Sequence, residues 1–360
     1  MANFGVVYQM KLGILVYASF TGLGYQTKDY VDHLDPARVL LIDLSMFNGM
    51  EIHPEWYEGR NIVLSRGIPT PEVINQFLDG LDVVFMAETP LNYYLVEECK
   101  RRGIKCINAY NYEFLDYFNH PDWEGFDILA APSVWNIDIV KNLNKGKVHH
   151  FPVPVNRNHG IRDIRHLKTI FHVLGRPAVH DRNGTLSFLS AIEVLGRQFE
   201  YVVYYQEPQD ARGREYFQPV RDRLYSMKDR FGIKIVVDCQ DNMEMFQEGE
   251  LMVLPRRYGG LCLPMQEALS WGIPVIMTDV SPNNSVLPKE WLVKSVQKDV
   301  FRGHAEIPVF DADVSDLVAK IGSFSNDEFL VSNCKVADSI GESLSWNNLR
   351  GRYLEWFAEL

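Results

Sequence analysis

Short runs of β-branched and aliphatic residues alternate with longer amphipathic segments along the whole chain. In the first half the runs fall at 12–17, 39–43, 61–64, 83–87, 105–108 and 128–131, with amphipathic stretches such as 72–78 and 92–102 between them. Unbroken apolar runs are what parallel strands covered on both faces require. Their alternation with helical segments predicts an α/β protein whose sheets are mainly parallel. His150-Phe151-Pro152-Val153-Pro154-Val155-Asn156 breaks the rhythm, because prolines at alternate positions hold the backbone extended and exclude helix. A polar stretch, 156–165, follows. The pattern then restarts, with strands expected at 169–174, 201–205, 234–238, 251–254 and 275–278 and helices at 184–195, 213–230 and 263–271. Two similar αβ halves are therefore expected, 1–155 and 156–342. The last segment, 343–360, carries Trp346, Leu349, Tyr353, Leu354, Trp356 and Phe357 at helical spacing. So aromatic a helix needs a partner, and the first domain is one candidate.

Composition narrows the setting. The 360 residues suit two domains, each large enough to bury a core. A net charge of −11 argues against non-specific binding to nucleic acid or anionic membranes, while leaving room for a local basic cleft. The run 12–17 is too short to span a bilayer and lacks the flanks of a signal peptide, and no longer apolar run follows. A cytoplasmic protein is expected. The five cysteines show no Cys-x-x-Cys spacing, so buried free thiols in a reducing compartment are expected rather than disulfides or zinc.

The stretch richest in chemistry is Leu254-Pro255-Arg256-Arg257-Tyr258-Gly259-Gly260-Leu261-Cys262-Leu263-Pro264-Met265-Gln266-Glu267-Ala268. A buried strand ends at Pro255, two glycines permit a tight path, and a helix opens near Leu263 with Pro264 in its first turn. Free amides and the positive end of the helix dipole would suit a diphosphate there. Glu267 is placed to accept a ribose or sugar hydroxyl, the plainer alternative being a carboxylate that complements the dipole.

This stretch resembles the donor-site signature of family 4 retaining glycosyltransferases of the GT-B fold, roughly Pro-Ser-x-x-Glu-Gly-Phe-Gly-Leu-Pro-x-x-Glu-Ala followed by a Gly-x-Pro-Val strand. Here Gly272-Ile273-Pro274-Val275 supplies the latter. The resemblance implies two Rossmann-like domains with a nucleotide-sugar in the cleft between them. The pattern's second glutamate, associated with the ribose, falls on Glu267. Its first, associated with the transferred sugar, falls on Gly259, so that carboxylate is missing. A second match is Gly175-Arg176 followed by Arg182-Asn183-Gly184, where the family carries an arginine and a lysine that neutralise the donor diphosphate. Arg176 fits directly. Spacing puts the second cation on Arg182, while adjacency to the glycine would put Asn183 there; charge favours Arg182. The third match is Ser19-Phe20-Thr21-Gly22-Leu23-Gly24-Tyr25, whose glycines Gly22 and Gly24 would let backbone approach donor or acceptor. Thr27 stands where a dinucleotide fingerprint would carry its third glycine.

The resemblance thus implies a retaining transfer from a nucleotide-diphospho-sugar, which is a substrate and not a cofactor, to a hydroxyl acceptor of unknown class: glycan, lipid, protein, metabolite or modified nucleic-acid base. The donor-binding set is Gly22, Gly24, Arg176, Arg182, Gly259, Gly260, Leu261, Cys262, Leu263 and Glu267. Glu113, at the carboxyl end of a strand, is the first choice for a carboxylate that assists the acceptor, with Glu88 second. The aromatic stretch 110–118 suits either an acceptor platform or a core. No metal is expected. Asp311-Ala312-Asp313 precedes a helix that Asp313 would cap, and His149-His150 point to opposite faces of a strand. The alternatives are a binding protein that has lost transfer, suggested by Gly259, another enzyme of the same fold such as an epimerase or phosphorylase, and lastly a dehydrogenase.

Overall fold

The computed structural model describes residues 10–88, 90–114, 125–143, 147–157, 161–239 and 242–359. Seven parallel strands build the first sheet: β1 (Leu12–Val16), β2 (Arg38–Asp43), β3 (Ile62–Arg66), β4 (Val83–Ala87), β5 (Lys105–Ala109), β6 (Ile128–Ala131) and β7 (Val148–His150), in the order β3-β2-β1-β4-β5-β6-β7. The second sheet holds β8 (Thr169–Gly175), β9 (Glu200–Tyr205), β10 (Ile233–Val237), β11 (Leu251–Leu254), β12 (Val275–Thr278) and β13 (Leu292–Val293), in the order β10-β9-β8-β11-β12-β13. Both are the doubly wound arrangement, with a reversal of strand order beside the first strand of each sheet. The central strands are buried from end to end, as for Leu12–Val16, Val83–Ala87 and Leu251–Leu254, which is why their sequences read as unbroken apolar runs.

Registers in the first sheet are regular, with Ile14 paired to Val39 on one side and Phe85 on the other, whereas β8 and β9 shift register between Val173 and Gly175. Two apolar clusters pack the faces of the first sheet, one around Phe77, Met86 and Leu129 and one around Tyr30, Phe85 and Ile107. A single large cluster, including Phe171, Phe188, Leu254 and Trp291, fills the second half.

The chain crosses between the halves twice. Val155 donates from its amide to Leu344 and accepts from Trp346, so the outgoing segment and the returning one are bonded to each other. The terminal helix Trp346–Ala358 then docks on the first domain, where Trp346, Leu349, Tyr353 and Phe357 join the Tyr30–Phe85 cluster. The helix therefore crosses back.

Three expectations change. The loop after β1 is shorter than the sequence suggested: a helix begins at Gly22, capped by the Thr21 hydroxyl that accepts from the Gly24 amide at 3.0 Å. A hairpin of β14 (Ser295–Arg302) and β15 (Glu306–Ala312), not foreseen, places Ala305, Ile307 and Val309 against the first-domain cluster that contains Trp135 and Tyr112. Cys99, Cys106 and Cys262 are buried free thiols, but Cys239 and Cys334 are only half-buried because they lie at the edge of the second core. Asp313 caps the helix Val314–Ser323, accepting from Ser315 and Asp316 amides at 2.9 and 3.0 Å. Of the aromatic stretch 110–118, residues 115–118 lie outside the described residues. No helix among the described residues is long and apolar enough to cross a membrane.

Candidate functional site

A cleft of about 540 Å³ opens between the carboxyl ends of the two sheets. Both walls are loops that follow central strands, the position where open α/β sheets hold ligands.

The second-domain wall starts at the end of β8. Arg176 leaves Gly175 and pairs with Asp210 at 3.1 Å, reaching Met50 of the first domain at 3.9 Å. His180 and Asp181 then hold left-handed backbone, with φ of 57° and 48°. That turn is fixed from three sides. The Asp181 carboxylate accepts from the Thr185 and Leu186 amides at 3.0 and 2.8 Å, Tyr258 donates to the Val179 carbonyl at 2.7 Å, and Arg257 donates to His180. Burial pushes the Asp181 carboxyl up to about 6 despite those bonds. The turn delivers Arg182 to the cleft with its Nε buried and without a hydrogen-bond partner. Burial, and then repulsion from Arg256, lowers the pKa of Arg182. Asn183, the alternative for this role, uses its side-chain amide on the Val173 and Leu174 carbonyls at 3.1 and 2.8 Å.

The loop after β11 completes this wall. Leu261, Cys262, Leu263 and Pro264 line the cleft at the amino end of the helix Leu263–Ser270. Glu267 lies one turn further on and also lines it. Burial pushes its carboxyl up to about 7, with the Asp29 carboxylate a smaller contributor. Asp29 stands on the first-domain helix Gly22–Leu34, accepts from the Asn156 side chain at 2.7 Å, and is likewise pushed up to about 7 by burial.

Tyr17, Ser19, Thr21, Gly22 and Tyr25 form the first-domain wall after β1. After β4, Glu88 holds left-handed backbone with φ of 69°. Such a conformation costs a non-glycine residue about 1–3 kcal/mol and marks a position the surroundings impose. Asn111 donates to Glu88 at 3.2 Å, and burial followed by the nearby Glu113 raises the Glu88 pKa. Glu113 lines the cleft as well. Burial thus singles out Glu88, which the sequence ranks below Glu113.

The structure brings Gly22, Glu113, Arg176, Arg182, Leu261, Cys262, Leu263 and Glu267 to one cleft, while Gly24, Gly259 and Gly260 do not line it. Gly24 packs on the Ser19 carbonyl, Gly259 on the Arg256 guanidinium and Gly260 on the Trp135 ring. At these three positions close packing by itself calls for glycine. Arg256 and Gln206 line the cleft without having been foreseen, as does not Asp29, also unforeseen, which acts on Glu267 from outside the lining. Arg256 stands in the matched stretch, at a place where the pattern has serine. The other two carry no motif; Gln206 crosses the cleft to donate to the Phe20 carbonyl at 3.0 Å.

No protein-family model matches the chain, and no curated protein matches it. Solved structures match across nearly its full length. A glycosyltransferase from Rickettsia africae ESF-5 superposes with a TM-score of 0.70 at 13% identity, covering 98% of both chains. Anabaena HepE in complex with UDP and glucose gives 0.72 at 10% identity, covering 98% of this chain and 100% of that one. The E. coli trehalose-6-phosphate protein bound with UDP-2-fluoro glucose gives 0.64 at 10% identity over 97% and 99%. The fold is the two-domain GT-B fold that these proteins share.

Proposed function

We propose that the protein is a glycosyltransferase that moves a sugar from a nucleoside-diphosphate donor to a hydroxyl acceptor with retention at the anomeric carbon. The observation that carries this reading is the cleft's second-domain wall: Arg176, Arg182 and the amino end of a helix converge there, and Arg182 presents an unpartnered buried nitrogen. Positive charge arranged in advance around a diphosphate stabilises it as it leaves, which is the costly part of the transfer. The guanidiniums grip phosphate oxygens in pairs, and the amides of 261–263 add the helix-terminal field. Two structures of the same fold hold UDP or a UDP-sugar analogue, which favours that class of donor.

In the transfer, the bond from the anomeric carbon to the phosphate oxygen breaks as the acceptor oxygen bonds to the same face. The acceptor proton passes to the departing phosphate oxygen, so no protein nucleophile is needed. Arg176 and Arg182 hold the leaving group and supply the positive charge that a metal would otherwise bring. Glu267 accepts a ribose hydroxyl. Glu88 and Glu113, on the opposite wall, orient the acceptor hydroxyl. Closing the domains limits hydrolysis of the donor.

The test is a thermal-shift panel of UDP, GDP, ADP, CMP, NAD and the common nucleotide-sugars. One nucleoside diphosphate should raise the melting temperature, since ligand at a hundred times its Kd adds about 2.7 kcal/mol. Arg176→Ala and Arg182→Ala should each weaken that ligand by roughly tenfold to hundredfold, the worth of a charged hydrogen bond. A shift with NAD alone would move the reading to a dehydrogenase. With the donor in hand, the anomeric configuration of product by NMR decides retention.

A further inference from the structure

The loop after β11 holds a cation that the transfer reading leaves without a role. Arg256 lines the cleft although only 5% exposed. Its Nε donates to the Tyr258 carbonyl at 2.9 Å and its Nη1 to the Leu261 carbonyl at 2.5 Å. Among the described residues Nη2 has no hydrogen-bond partner, and no carboxylate pairs with this guanidinium.

The same group takes the space a side chain at 259 would need. A Cβ built on Gly259 would stand 2.3 Å from Arg256 Nη2, and the φ of +119° there is one L residues rarely adopt. Position 259 is therefore a strained place for any L side chain, and the movable end of Arg256 occupies the volume such a side chain would enter. Arg182 is near enough for the two cations to repel. Two neighbouring guanidiniums, Arg256 buried and Arg182 half-buried, with no ion pair to either among the described residues, are costly to hold together unless an anion completes them. The diphosphate supplies one for Arg176 and Arg182. Arg256 is left over.

We propose that Arg256 selects a donor whose transferred sugar carries a carboxylate, a hexuronic acid, by pairing with it through Nη2. The proposal rests on the nucleotide-sugar reading above. A planar guanidinium and a planar carboxylate form short, charge-assisted bonds. A neutral sugar would leave Arg256 buried and unpaired, a difference of roughly tenfold to hundredfold in affinity.

Calorimetric titration of the full chain at pH 7 tests this with UDP, UDP-glucose and UDP-glucuronic acid, and with GDP, GDP-mannose and GDP-mannuronic acid. For the base that binds, the uronate donor should bind at least about tenfold more tightly than its neutral counterpart. Arg256→Gln should bring that ratio to within about twofold, and Arg256→Lys should keep part of it. A wild-type ratio near one, with the bare diphosphate bound, overturns the proposal, leaves the nucleotide-sugar reading standing, and makes Arg256 a clamp on its own loop. This arm needs no variant, so it holds even where Arg256→Gln does not fold. Failure of every bare nucleoside diphosphate to bind the folded protein overturns the underlying reading and the proposal with it.

Discussion

Glu267 and Asp29 contribute carboxyls from the two domains, each half-buried and each pushed up by desolvation to about 7. Both values lie above the ordinary ones of 4.5 and 3.8. An acid whose folded value is raised contributes stability that is complete below its unfolded value and lost as pH rises through the folded one. The ligand-free protein should therefore lose stability between about pH 4 and pH 7 from this source. Glu267→Gln removes one of the two groups and should flatten the melting temperature across that window. Equal pH slopes for wild type and variant would mean the carboxyl is not buried in solution. Glu267, Arg176 and Arg182 were legible because a spacing pattern fixes them. The desolvation of Glu88 and Asp29 and the left-handed backbone at Glu88 carry no local mark in the sequence, because they are tertiary facts. Arg256 lay in plain view within the matched stretch, but its meaning depends on the φ of Gly259.

At the scale of elements, buried parallel strands were the easiest to read, since burial on both faces leaves no polar alternation to misjudge. The hairpin of β14 and β15 was the hardest. Most of β14 is exposed, and its packing on the first domain comes mainly from Ile307 and Val309 of β15. The helix Gly22–Leu34 is harder to read than the strands because two glycines stand in its first turn. They have different jobs. A Cβ on Gly24 would lie 1.9 Å from the Ser19 carbonyl oxygen, whereas one on Gly22 would meet nothing nearer than Leu263 Cδ1 at 3.4 Å. Gly24→Ala should cost about 1–3 kcal/mol by overpacking. Gly22→Ala should leave the melting temperature close to wild type, an alanine being at ease at the start of a helix. Denaturant midpoints for the two variants check this, and equal midpoints would show that the close contact at Ser19 relaxes without cost.

For the whole molecule, the question is which wall of the cleft does which task, and the terminal helix offers a way to separate them. Tyr353 is fully buried, packs beside Tyr30 and Phe85, and donates to the Pro152 carbonyl at 3.0 Å. It anchors the returning chain to the first domain and holds the double crossover at Val155 in place. None of the second-domain residues assigned to the diphosphate touches this helix. Tyr353→Ala should lower stability by about 3–5 kcal/mol, as truncation of a large buried aromatic does. Below its melting temperature, however, nucleoside diphosphate affinity should stay within about threefold of wild type, because Arg176, Arg182 and the 261–263 amides are all carried by loops of the second sheet, after β8 and β11. The proposed transfer needs both walls in register, and a misplacement of about 1 Å can cost a hundredfold in rate. Turnover should therefore fall far more than binding. If binding and turnover fell together, the first domain would be holding the donor too, and the division of labour between a gripping wall and an acceptor wall would have to be given up.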